Sequence, residues 1–130
     1  MSVSAIRATL EQRLLTVDPD IPTAWENVRF TPANDVPYQA VYFLFTSPEQ
    51  TNIVQDYAQG GYMHVSLFYP LSEGTAPAMR QAQKIRDGFP VGTKYDDVLI
   101  HKTPEIGSGR VDGDRFMVPV YVKFISYITQ

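Results

Sequence analysis

Val3, Ile6, Leu10, Leu14 and Val17 recur at spacings of three and four, which places them on one face of a helix. Ser2 or Ser4 can cap its start by accepting from free backbone N–H groups. Asp18-Pro19 ends it, because proline disfavours helical backbone in the residue before it. "DPDIP" is then a turn, "TAWENVRF" (23–30) a short, edge-like strand, and "TPANDVP" (31–37) a loop with two prolines.

In "YQAVYFLFTS" (38–47) the pattern switches to alternation. Val41, Phe43 and Phe45 point one way and Tyr42 and Leu44 the other. Apolar residues on both faces imply a strand covered on both sides, or an interface on one of them. "PEQTNIVQD" (48–56) is a polar excursion. "YAQGGYMHVSLFYPL" (57–71) is a second long strand, with a bulge or bend expected at Gly60-Gly61. "TAPAMRQAQKIRDGF" (75–89) returns to helical spacing. Ala78, Met79, Ala82, Ile85 and Phe89 form its apolar face, Thr75 is the expected N-cap, and Gly88 the expected left-handed C-terminal cap.

"KYDDVLIHKTP" (94–104) and "DRFMVPVYVKFISYI" (114–128) read as a third and fourth long strand. In the last, Phe116, Val118, Val120, Val122 and Phe124 form a core face. Pro119 lacks an N–H and is expected at a bulge or on an edge. The predicted order is α-β-β-β-α-β-β. That is a single α+β domain over 1–130, with an antiparallel sheet of about four to five strands packed against two helices.

Composition narrows the function. The 130 residues suit one domain that needs no staple. The absence of cysteine excludes disulfide scaffolds, thiol catalysis and thiolate zinc sites. A formal charge of −3, with no basic stripe, argues against sequence-specific DNA binding. Arg7, Glu11 and Arg13 interrupt the first apolar pattern, so no signal peptide is expected. No apolar run approaches the roughly 18 residues of a membrane span. A soluble, cytoplasmic protein is the expectation.

"GSGRVDGDRF" (107–116) has the look of a binding loop. It lacks the lysine and hydroxyl of a phosphate-binding P-loop, and its third glycine comes one residue late for the dinucleotide fingerprint. It also lacks the frame of a calcium loop. Flanking β-rich segments make it a hairpin with a charged tip. His64 and His101 have no convergent carboxylates, and Asp96-Asp97 reads as the start of a strand. Ser66 and Ser126 lack a nucleophile-elbow context. No enzyme, metal site or cofactor is expected. Tyrosines are prominent instead: Tyr38, Tyr42, Tyr57, Tyr62, Tyr69, Tyr121 and Tyr127 fall on strands, where they serve either as half-buried packing or as an assembling face.

Several segments carry a family likeness: "IRATLEQRLL", "PTAWENVRFTP", "VPYQAVYFL", "FYP", "AQKIRDGFP" and "GRVDGDRFMVPVYVKF". On these the chain resembles the phage proteins of the tail-terminator type, which share a fold with the tail terminator of lambda-like phages. The resemblance implies an antiparallel sheet on helices. It also implies a ring, typically a hexamer, that caps the tail tube, ends its polymerisation and offers a docking face to the head-side connector. The implied partners are further copies of itself, the major tail tube protein and the connector, with DNA passing through the ring. The implied place is the head-proximal end of the virion tail, reached from the host cytoplasm. The family motif falls on Arg110, Asp112, Asp114 and Arg115, which with Tyr57 and Tyr62 are the candidate subunit or tube interface. A head–tail connector or neck protein is the alternative within the class, and a small ligand-binding domain the alternative outside it.

Overall fold

The computed structural model describes residues 2–51 and 56–128. Its elements run α1 (Val3–Val17), β1 (Thr23–Trp25), β2 (Tyr38–Phe45), β3 (Glu49–Gln50), β4 (Tyr57–Pro70) and α2 (Ala76–Gly88). There follow β5 (Lys94–Tyr95), β6 (Val98–Ile100), β7 (Glu105–Ile106), β8 (Arg110–Asp112) and β9 (Arg115–Ile128).

This overturns the expected four- to five-stranded antiparallel sheet and its element order. Among the described residues the sheet has nine strands, is mixed, and curls into a half-barrel. Its spine is β1-β2-β4-β9-β6-β5, with β3 beside β4, and β7 and β8 beside β9. The mixed character comes from β1, which runs parallel to β2. A parallel neighbour needs a crossover of about a dozen residues, and segment 26–37 supplies it. The expected third long strand, 94–104, is instead two short ones. Asp96, at φ 52°, turns the chain between the paired residues Tyr95 and Val98, so Asp96-Asp97 is a hairpin turn and not a strand start. The polar excursion holds β3, which pairs back on β4; its residues 52–55 lie outside the described ones.

Both helices cover one face of the sheet. Ile6, Leu10 and Leu14 of α1 and Ala78, Ala82, Ile85 and Phe89 beside them pack on Met63, Val65, Leu67, Val118, Val120, Val122 and Phe124. Met79, expected in this core, is 41% exposed. Ser2 caps α1 through its Oγ, which accepts from the Ala5 N–H at 3.1 Å. Thr75 makes no such side-chain bond at the start of α2.

Two backbone expectations are corrected for one reason: close approach, not unusual dihedrals. Gly88 is not in left-handed backbone; a Cβ there would lie 2.3 Å from Val17 Cγ2, so the glycine lets α2 meet the end of α1. Its carbonyl accepts from Arg13 Nε and Tyr95 Oη, each at 3.0 Å. Gly60-Gly61 forms no bulge, for β4 keeps one register with β9 from Tyr57↔Ile128 to Pro70↔Arg115. A Cβ on Gly61 would meet Leu44 O at 2.3 Å. Pro119 meets its expectation of a bulge: between Ile106↔Val120 and Arg110↔Met117 three residues (107–109) oppose two of β9 (118–119). It pairs with Ser66 inside the sheet. Its carbonyl accepts from Gly107 N–H at 2.9 Å, so its missing donor faces the same side, where the chain leaves the ladder between β7 and β8.

Candidate assembly interface

Alternation along the three central strands decides what the helix-free face displays. The set opposite the core is Tyr38, Tyr42 and Leu44 on β2, Tyr62, His64, Ser66 and Phe68 on β4, and Met117, Pro119, Tyr121 and Tyr127 on β9. Among the described residues no helix covers this set, while Gly107, Ser108 and Arg110 lie against His64, Met117, Pro119 and Tyr121 and the first three of those are buried. Tyr42, Leu44 and Tyr127 are 42%, 48% and 62% exposed.

The rings are ordered against one another. Tyr38 stacks on Phe68 with centroids 4.8 Å apart and touches Phe30 at 5.2 Å. Tyr62 meets Tyr121 edge-on at 5.6 Å. His64 lies between Tyr42 at 4.3 Å and Tyr121 at 4.6 Å. Such pairs contribute about 0.5–1.5 kcal/mol beyond their buried area. Five of the seven strand tyrosines belong here. Tyr57 and Tyr69 point the other way and pack against the core.

His64 and Ser66 form a serine–histidine pair, with Oγ 3.1 Å from Nε2. A general base in such a pair must become imidazolium. Burial, and then the Arg110 charge, push the His64 pKa below its ordinary value and oppose that cation. The pair is suited to satisfying two buried polar groups and not to transferring protons. This gives a pH prediction. The unfolded ring binds its proton near the ordinary pKa of 6.5, the folded ring only at lower pH. Stability attributable to His64 is therefore present above 6.5 and lost as pH falls below it. His64→Gln should flatten the acid limb in unfolding free energies measured between pH 7.5 and 5. An unchanged slope would show that the site does not titrate.

His101 is not among the rings packed on His64. It lines a 290 Å³ hollow with Glu49, Tyr62 and Lys123, and burial followed by Lys102 and Lys123 lowers its pKa. Among the described residues no three His, Cys, Asp or Glu side chains gather in a metal-binding group. No helix among them is long and apolar enough to cross a membrane.

The charged hairpin divides into two parts. "GSG" (107–109) links β7 to β8, and Gly109 leaves room for the Phe116 ring, whose Cζ would lie 2.3 Å from an added Cβ. The tip is the two-residue turn Gly113-Asp114 between Asp112 and Arg115, with Gly113 at φ 61°. Arg110, Asp112 and Asp114 are exposed, and Val111 between them is 66% exposed. Arg110 also borders a 230 Å³ hollow with His64, Met117 and Tyr121, so tip and aromatic face adjoin. Arg115 is not at the tip surface. It is buried, donates from Nη1 to Val36 O at 2.6 Å and from Nη2 to Ala33 O at 2.7 Å, and stands over the Tyr38 ring at 5.1 Å. The family motif grouped it with Arg110; the one hint of its burial was its place inside the strand expected at 114–128, next to the core-facing Phe116. Tyr62 lies on the open face. The sequence reading missed Tyr42, His64 and Tyr121 as a cluster, although their even spacing on strands was legible.

A solved structure that carries no functional name is similar over 100% of this chain and 99% of its own, with a TM-score of 0.75 and 23% identity. That likeness shows that the fold, a helix-backed curled sheet, is shared with a known structure. The chain belongs to the phage tail terminator family: the family described as "Phage tail terminator protein" matches residues 5–124. Its role is thus structural, in phage tail assembly, and its place is the virion tail. No curated protein matches it.

Proposed function

We propose that the protein caps the tail tube as a ring, a hexamer, ends tube polymerisation and presents a docking face to the head-side connector. The family match over residues 5–124 carries this reading. The open aromatic face and the exposed hairpin tip support it, since a ring needs surfaces that a lone chain leaves uncovered. The partners are other copies of the chain, the major tail tube protein and the connector. DNA passes through the ring without sequence-specific contact, in keeping with a net charge of −3. Assembly takes place in the host cytoplasm, and the finished ring sits at the head-proximal end of the tail. Light scattering after size exclusion, with and without purified tail tubes, tests the ring. A chain that stays monomeric in both arms, or that binds connectors and never tubes, sinks the terminator reading.

Arg110, Asp112 and Asp114, with Tyr62 farther along the adjoining aromatic face, are the proposed contact residues. Replacing all three tip residues with alanine should cost within about 0.5 kcal/mol each in stability, since they are exposed and none forms an ion pair among the described residues. The same variant should lose tube capping and give over-long tails by electron microscopy. Normal tail lengths would remove the tip from the contact. Tyr57 packs inward, so its contribution to any contact is indirect.

A further inference from the structure

A closed ring of identical chains joins two different surfaces of each copy. The sheet order places β1 at one flank and β8, beyond β9, at the other. Each flank carries an unfilled feature. At the first, a groove of 520 Å³ runs between α1 and the turn after β1. Arg7, Glu11 and Leu15 form its helical wall; Trp25, Glu26 and Val28 form the facing one. Val28 is 60% exposed and Leu15 37%, so its apolar surface is open. At the second flank stands the β8–β9 hairpin tip, narrow, with Val111 66% exposed and Arg110 and Asp112 on the opposite side of the same strand.

We propose that the hairpin tip of one copy seats in the α1–β1 groove of the next. The proposal rests on the ring reading above. Its warrant is a match of charge and spacing. Arg7 and Glu11 are one helical turn apart, about 6 Å along the axis. Arg110 and Asp112 are two strand residues apart, about 6.7 Å. Laid against α1, Arg110 meets Glu11 and Asp112 meets Arg7. The groove rim has one base, Arg7, against two acids, Glu11 and Glu26. Glu26 is already held, accepting from Arg7 at 3.2 Å and from the Phe43 N–H at 3.1 Å through the same oxygen. Glu11 is looser, 3.7 Å from Arg7, and is the carboxylate open to Arg110. Val111, on the other side of the strand, then faces Trp25 and Val28.

The chain has no cysteine, which makes disulfide trapping clean. Val111→Cys and Val28→Cys in one chain, oxidised on tail tubes, should give a covalent ladder up to the closed ring. Either variant alone should give none. Arg110→Glu should lower ring yield at least tenfold, and adding Glu11→Arg should restore it. Dimers from Val111→Cys alone mean a tip-to-tip contact and overturn the proposal. Rings seen by light scattering with no ladder and no rescue overturn it as well, while the ring reading stands. A parent chain that stays monomeric with tubes present defeats both.

Discussion

Gly61→Ala is expected to lower the Tm by about 10 °C, corresponding to about 3 kcal/mol. The added methyl would sit 2.3 Å from Leu44 O and 3.1 Å from Phe45 Cα, both backbone atoms of β2, and 3.0 Å from Phe124 Cζ. Overpacking against mobile side chains costs about 1–3 kcal/mol. Here the nearest atom belongs to a paired strand, which moves only by opening the β2–β4 ladder, so the upper end of that range applies. Gly60→Ala is the control. Its Cβ would meet Thr46 Oγ1 at 3.2 Å and Phe124 O at 3.7 Å, and the threonine can turn away. Thermal unfolding of the two variants separates these cases. Equal losses would mean that the pair serves chain flexibility and not close approach.

Arg115→Ala should cost about 2–3 kcal/mol, as two short, charge-assisted bonds to Val36 O and Ala33 O are lost together with the ring contact to Tyr38. Lysine should not rescue it, since one ammonium cannot fork to two carbonyls. Urea unfolding gives the stability change, and hydrogen exchange should rise in the 31–37 loop that the guanidinium holds. Arg110→Ala, on the same hairpin, should change stability by no more than about 0.5 kcal/mol. Comparable losses for the two arginines would dissolve the distinction between an inward clamp and an outward tip.

That distinction shows where a linear reading stops. Both arginines lie in one charged decapeptide, and composition treats them alike. Register parts them. Arg115 opens β9 beside Pro70 of β4, next to the Tyr38–Phe68 stack, while Arg110 lies on an edge strand paired only with β9 among the described residues. The glycines teach the same lesson. Gly61, Gly88 and Gly109 read as bulge, cap and turn from local rules, yet each marks a contact with a residue distant in sequence or across the sheet.

Periodicity alone determined the two helices, the long strands β2, β4 and β9, and most of the core they share, because burial on one side imprints a period on any element several residues long. The phage tail family was legible too, in motifs spanning nearly the whole chain. Strands of two or three residues carry no period, so β3, β6, β7 and β8 appear only once β4 and β9 offer them an edge, and β5 only once β6 does. The parallel placement of β1, the inward turn of Arg115 and the assembly of Tyr42, His64, Tyr62 and Tyr121 into one open face likewise belong to tertiary structure. Each depends on which strands become neighbours, and pairing across the sheet joins residues that sequence keeps far apart.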